Sequence, residues 1–599
     1  MIMEYLFNVL SKRYSSISLT ICFILSTLFL VSCLDSAEKG TTGYLPFKSS
    51  SDGRWGLMGT DGVVLFEDEF KDIPTSAVND RFLVKTGNNT WEIYTAEPKP
   101  QRIGEEYIQI ADFTCAVTPA VKKNERINLI NVDGEVVATL DKVGSKSIIR
   151  CSGFKFGYAG IVTDDEKCGI IDTKGKVIIE PKYDLTWTLS GNSFLTLTKK
   201  DNKENSDNAF TLSVLDSSSK QLFSIQLGDG QKYIDINLLA STPKYLAVCI
   251  TVDGERQWGY IDYSNNVIVK PSNKIKEVIS VRGDKFIYRS SDGYGVMNFD
   301  GEVVVRGKYD QLNWATDEIL IAYSSDTNYY LINLEGEKLT KDSYLDILPF
   351  FDGSHAAAKV SDNSWCFIDK KGEEVKIKNA PDIYYITDNS ADLVVESDYL
   401  DIDAIISKIQ LIKNGIMGYN LTMTPLQIAR AYNEIAPEDE KRGLTPDDNR
   451  GCDRLRTNNY SRGVELSSEL YYNKYMTDYS DNNKLIWSDE KPAYIEVNIS
   501  GSKVSGKTDL IYSKVAPTIK SYGKVVKENS NAAVVKISDD QGWVVINTGS
   551  KVMLRIINGR SFYDYYIDEY AKEGESTKVI EKSPVEEIQE FDVLSDSIR

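Results

Sequence analysis

Between residues 55 and 377 short apolar runs and polar turns alternate in one recurring phrase. Trp258-Gly259-Tyr260-Ile261-Asp262, then Tyr263 to Asn266, then Val267-Ile268-Val269 has the pattern of a strand, a turn and a second strand. Trp55-Gly56-Leu57-Met58 leads in the same way into Asp61-Gly62 and Val63-Val64-Leu65, and Cys168-Gly169-Ile170-Ile171-Asp172 into Lys174-Gly175 and Val177-Ile178-Ile179. Aligned on the first residue, the copies begin at Trp55, Trp91, Ile127, Cys168, Leu212, Trp258, Tyr294, Tyr329 and Trp365, with steps of 36, 36, 41, 44, 46, 36, 35 and 36 residues. Such spacing marks an internal repeat.

Seven places after the aligned residue stands a turn glycine: Gly62, Gly134, Gly175, Gly301, Gly336 and Gly372. A tight hairpin needs positive φ there, which glycine adopts without a Cβ penalty. Fifteen places after it stands an aromatic in four copies: Phe70, Tyr183, Tyr309 and Tyr344. A further strand precedes each good copy, such as Phe156 to Val162, Phe286 to Arg289 and Ala356 to Val360. Each unit therefore holds three or four short strands, the size of a propeller blade or a solenoid rung. One unit cannot bury its apolar face alone, so neighbours must supply the core. Trp55, Trp91, Trp258, Tyr294 and Trp365 are read as packing residues between units, and Gly62, Gly175, Gly301 and Gly372 as turn formers. Cys168 and Cys366 stand where other copies have Trp and Gly, and are read as small buried hydrophobes.

The phrase Trp-Gly-Tyr-Ile-Asp, a glycine turn, a Val/Ile strand and Pro-Lys-Tyr-Asp resembles the WG-repeat family. Lys167 to Asp184 is the fullest match, with Cys168 in the Trp place, and Phe351 to Val360 leading into Trp365-Cys366-Phe367-Ile368-Asp369 is close behind. The copies at Trp91, Ile127 and Leu212 depart from the pattern. The resemblance implies a mainly β fold over residues 45–380, about nine units in a β-propeller-like ring, with an open β-solenoid as the alternative. It carries no catalytic residues with it.

After Ile377 the rhythm stops. Helical spacing of Ile402, Ile405, Ile406, Ile409 and Ile412 predicts a helix opened by Asp401, and Thr424-Pro425 opens a second, to Asn433. Residues 434–464 are charged and turn-rich and read as an exposed excursion. Tyr494 to Ile499 alternates as a half-buried strand, Thr508 to Tyr522 is helical despite Pro517, and further strands follow to Ile557. An α+β C-terminal domain is expected over 381–563, and an acidic mobile tail over 564–599.

The N-terminus changes the picture of location. Lys12 and Arg13 precede the apolar run Ile17 to Val31, and small Ser32 precedes Cys33, the layout of a secretory leader. Leu30-Val31-Ser32-Cys33 resembles the bacterial lipobox, which implies a signal peptide over 1–32, lipidation (palmitate) at Cys33 and a tether over 33–44. With Leu34 directly after the cysteine, the expected address is the cell envelope, anchored in the outer membrane. Net charge of −19 repels nucleic-acid phosphates, so no nucleic-acid partner is expected.

Candidate chemistry is sparse. Gly501 to Thr508 formally matches a phosphate-binding loop, but fewer than 100 residues follow and the strand before it alternates, so nucleotide binding is not expected. His355 is the chain's single histidine, and it lies in a repeat strand, which excludes a multi-histidine zinc site. Asp478 to Asn482 has the composition of a calcium loop without its sixth-position glycine. No catalytic residue, metal ligand or cofactor is assigned, and the sequence leans against an enzyme without deciding the point. The expected function is a lipid-anchored scaffold for protein or envelope-glycan interaction. A carbohydrate-binding lipoprotein is the alternative, and an acid-residue hydrolase in the C-terminal domain a lesser one.

Overall fold

The computed structural model describes residues 43–189, 192–199, 210–228, 230–351, 353–376, 381–391, 393–435, 454–461, 463–471, 477–479, 485–487 and 491–558. The leader, Cys33 and the acidic tail lie outside these residues, as does most of the Asp478 to Asn482 run beyond the strand Thr477–Tyr479. The chain forms two compact units, the first ending at Tyr399 and the second beginning at Leu400.

Among its described residues the first unit consists of nine small antiparallel sheets. Each of the nine aligned positions lies in a strand of a different sheet. These strands are Trp55–Gly59, Trp91–Thr95, Ile127–Asn131, Cys168–Asp172, Phe210–Asp216, Glu255–Asp262, Tyr294–Asn298, Asn328–Asn333 and Ser364–Asp369. Alternation puts every second side chain of a strand on each face, and consecutive sheets share these faces as cores. Between sheets 6 and 7, for instance, Trp258, Tyr260 and Val269 meet Val278, Phe286 and Tyr288. Comparable clusters join every consecutive pair from sheet 1 to sheet 9. A ninth joins the last sheet to the first, where Leu348, Trp365 and Phe367 pack with Leu45, Phe47 and Met58. The array is a propeller-like ring, and the open solenoid is set aside: a solenoid would leave sheets 1 and 9 each with an uncovered apolar face.

The expected boundary at residue 380 falls short of the compact unit, which runs to Tyr399. The reason is a clasp. Tyr385–Ile386 adds a strand to sheet 1, pairing Ile386 with Phe47 and Tyr385 with Lys48. The chain then passes sheets 2 and 3, where the Asn389 side chain donates to the Pro74 carbonyl (2.8 Å) and the Ala391 N–H donates to Asp112 (3.1 Å). Finally Val394–Glu396 pairs with the strand Lys146–Ser152 of sheet 4, with Val395 fully buried there. These residues lack the repeat phrase, yet their backbone completes sheets of the ring.

The second unit contains helices α1 (Ile402–Ile409), α2 (Pro425–Ile435) and α3 (Thr508–Lys520) and a seven-stranded antiparallel sheet. Asp401 caps α1 by accepting from the Ala404 N–H (2.9 Å). At α2 the Thr424 N–H donates to the Gln427 side chain (2.8 Å), half of a capping box. One sheet face, with Ile495, Val497, Trp543 and Leu554, packs on Ile405, Ile409, Ile428, Ile511 and Val515 of the helices. Two expectations are corrected. Part of the 434–464 excursion is a strand, Arg454–Ser461, paired along its length with Val464–Tyr471. The strand Tyr494–Ser500 is buried on both faces from Tyr494 to Val497, where Tyr494 joins an apolar cluster and Glu496 is ion-paired to buried Arg555.

Candidate ligand-binding cleft at the closing seam

The repeat residues set the local geometry of each sheet. Gly56, Gly169, Gly259 and Gly295 each follow the aligned residue, and a Cβ there would meet a backbone carbonyl of the next strand at 2.3, 2.6, 2.3 and 2.5 Å. That strand bulges opposite the glycine. In sheet 4 the pairs Cys168↔Tyr183 and Ile170↔Ile179 enclose three residues of outer strand, and the pairs in sheets 1 and 7 do the same. The aromatic at the fifteenth place is thereby the cross-strand partner of the aligned residue: Trp55↔Phe70, Cys168↔Tyr183, Tyr294↔Tyr309, and Tyr329↔Tyr344.

The turn is held by a residue that pattern reading passed over. Four places after the aligned residue stands Asp or Asn in seven copies, and its Oδ1 accepts from backbone N–H groups inside the turn. Asp262 accepts from Ser264 and Asn266 (both 2.8 Å), and Asn298 from Asp300 (3.1 Å) and Glu302 (2.8 Å). Asp172, Asp216 and Asp369 act alike. Gly62, Gly175, Gly301 and Gly372 occupy the positive-φ place that the spacing assigned them, and Asn265 and Ser219 take it where glycine is absent. The Asp was visible in the phrase; its clamping role was the missed signal.

Sheet 9 departs from this scheme. Cys366 stands in the glycine place, as Glu92, Asn128, Ser213 and Tyr330 do in sheets 2, 3, 5 and 8, and its outer strand Glu374–Val375 pairs only with Phe367 and Ile368. The next partner, Ile383, meets Trp365 seven residues beyond Val375's neighbour Lys376, its carbonyl accepting from the Trp365 N–H (3.1 Å). Where sheets 1, 4 and 7 hold a tight bulge, a cleft of about 410 Å³ lies beside this strand. Trp365, Cys366, Phe367, Glu374 and Asp382 are among its lining residues, with Ser49, just after the strand Tyr44–Lys48 of sheet 1. The Trp365 ring is 8 % exposed, and its indole N–H has no hydrogen-bond partner. Tyr385, more than a third exposed, stands between two aligned tryptophans, its ring centroid 5.8 Å from Trp55 and 6.5 Å from Trp365, both edge-on. Burial, with help from the Glu374 charge, pushes the Cys366 thiol up to about 11, while hydrogen bonding to Tyr344 opposes the shift. A thiol so protonated is a poor nucleophile.

The other sequence-assigned residues are not gathered at this cleft. Trp91 and Trp258 are buried in their own sheet interfaces, and Cys168 and Tyr294 are half-buried beside their cross-strand tyrosines. His355 makes a contact with the Ser354 hydroxyl through Nδ1 (2.8 Å). In the Gly501 to Thr508 run the N–H groups of residues 503 to 507 all donate to nearby carbonyls, and the strand before it is antiparallel to both neighbours. A phosphate cradle needs those donors pointed outward.

The chain is a mainly β, propeller-like repeat protein. Within that class it contains a WG repeat: the family model described as WG containing repeat matches residues 169–203, in sheets 4 and 5. No curated protein matches the chain. Solved structures similar to it include a eukaryotic initiation factor (10% identity, 57% of this chain and 97% of that one, TM-score 0.39). BamB from Moraxella catarrhalis (12%, 49% and 92%, TM-score 0.28) and the C-terminal WD40 domain of Sif2 (12%, 47% and 90%, TM-score 0.28) are also similar.

Proposed function

We propose that the protein is a lipid-anchored interaction scaffold of the cell envelope, without catalytic activity, which presents its ring to a protein or glycan partner. The supporting observation is that the repeat spends its signature residues internally. Trp91, Trp258 and Trp365 are buried between sheets, the glycines admit bulges, and the Asp and Asn residues clamp turns. Variation between copies is then free to shape the surface. The lipobox-like Leu30-Val31-Ser32-Cys33 supplies the anchor, and the acidic balance of −19 disfavours contact with anionic headgroups other than through acyl chains. Capture of glycans on a row of exposed tryptophans is disfavoured by the burial of three of them. In the second unit the buried Glu496 is neutralised by Arg555, which removes it as a free acid for hydrolysis.

Metabolic palmitate labelling should mark the wild-type chain and not Cys33→Ala; equal labelling of the variant would refute the anchor. Crosslinking in intact cells followed by affinity recovery should return a specific partner, and repeated recovery of none would refute the scaffold role.

A further inference from the structure

We infer that the outer strand of sheet 5, Gln221–Leu227, pairs antiparallel with the same strand of a second copy of this chain, joining two four-stranded sheets into one. The inference depends neither on the anchor nor on the partner of the scaffold reading. An edge strand offers every second backbone N–H and C=O outward, and proteins block such edges with charges, proline or bulges. Seven sheets of the ring end in an outer strand of five or more residues. In sheets 1, 2, 4, 6 and 7 that strand carries charged side chains and bulges opposite the second residue of the repeat. Val136–Leu140 of sheet 3 is uncharged, but it pairs residue for residue only from Ala138 onward and lies between Glu135 and Asp141. Gln221–Leu227 has no charge, proline or glycine, and from Phe223 to Leu227 it opposes Val214 to Phe210 without a bulge. Among the described residues only its last residue is bridged on the outward side, by Tyr233.

Charge and register select the occupant. Like charges directly opposite each other destabilise a strand pair, and at −19 two copies of this chain repel. Self-pairing through sheet 1 would set Glu67, Asp68 and Glu69 against their own copies, and through sheet 2 Glu105 and Glu106. Gln221–Leu227 meets itself with no charge at all. A two-fold axis at Ser224 places Ser224 opposite Ser224, Phe223 opposite Ile225 and Leu222 opposite Gln226. Leu222, 48 % exposed, thereby gains cover from the other copy. A strand pair is far smaller than the roughly 20–30 residues a side of a stable interface, so the dimer is weak and grows with concentration.

The test uses the full chain purified in detergent. Ser224→Cys, oxidised with copper phenanthroline, should give a disulfide-linked dimer, because the axis brings the two side chains within bonding reach. Ser218→Cys, exposed in the preceding turn, and the wild-type chain should give several-fold less. In sedimentation equilibrium the wild-type chain should move towards dimer as concentration rises. Ser224→Lys, which sets two ammonium groups opposite each other, should weaken that association several-fold. Selective trapping through Ser224→Cys upholds the inference even where the dimer is too weak to sediment. Absence of trapping, equal trapping through Ser218→Cys or the wild-type cysteines, or a sedimenting dimer that Ser224→Lys leaves undiminished would overturn it.

Discussion

At Gly259 an added methyl group would sit 2.3 Å from the carbonyl oxygen of Val269 and 2.6 Å from the nitrogen of Pro271, both backbone atoms that cannot swing aside. Alanine in a strand ordinarily improves on glycine. Here Gly259→Ala should instead destabilise the ring by about 1–3 kcal/mol, the usual cost of overpacking, measured as a lower urea midpoint. Asn298→Ala removes the acceptor for two turn N–H groups and should cost about 1 kcal/mol in the same assay. The acidic clamps add a pH dependence. Hydrogen bonds from Asn266 to Asp262 and from Ser218 to Asp216, joined by turn N–H groups, hold both carboxyls below the usual aspartate value. A carboxyl depressed in the folded state stabilises above its unfolded pKa, and the contribution is lost as pH falls through the folded one. The thermal midpoint should therefore drop as pH is lowered below about 4. The drop should be smaller in Asp262→Asn, which keeps an oxygen acceptor that does not titrate.

The strand, turn and strand of each repeat explain why so much was legible at the scale of elements. An apolar alternation, a positive-φ place and an Asx clamp are local, so they appear in the sequence wherever they occur in the fold. The copies at Trp91, Ile127 and Leu212 were located by spacing although their phrases are poor, and each forms its own sheet. The clasp was not legible as part of the ring. Ala391 to Glu396 reads as a strand, of which Val394–Glu396 forms one, but the partner of a strand is chosen by backbone hydrogen bonds across hundreds of residues, which leave no periodic mark. A chain ending at Lys376 would lose the pairings with Phe47, Lys48 and Arg150 to Ser152 and uncover the seam core around Trp365. It should melt several degrees below a chain ending at Tyr399 when the two are compared by circular dichroism. Equal midpoints would show that the clasp does not support the ring.

Taken whole, the chain carries its apolar surface in two separate stores: nine cores arranged between sheets, and a helix-covered sheet after Leu400. Among the described residues each of these clusters is formed within one unit. Residues 400–599 expressed alone should accordingly fold cooperatively, with Trp543, fully buried, giving a blue-shifted emission that moves red on denaturation. Unfolded-like emission from the isolated unit would overturn that independence.

By itself the sequence determined the repeat, its nine copies, the β character of residues 45–380 and the helices that follow, because each rests on contacts within a few residues of chain. Tertiary structure alone decided three things. It closed the ring by laying sheet 9 on sheet 1, it moved the unit boundary to Tyr399, and it left a cleft beside the outer strand of sheet 9. In all three the deciding atoms are distant in sequence, and an apolar or polar label on a residue does not record which neighbour it will meet.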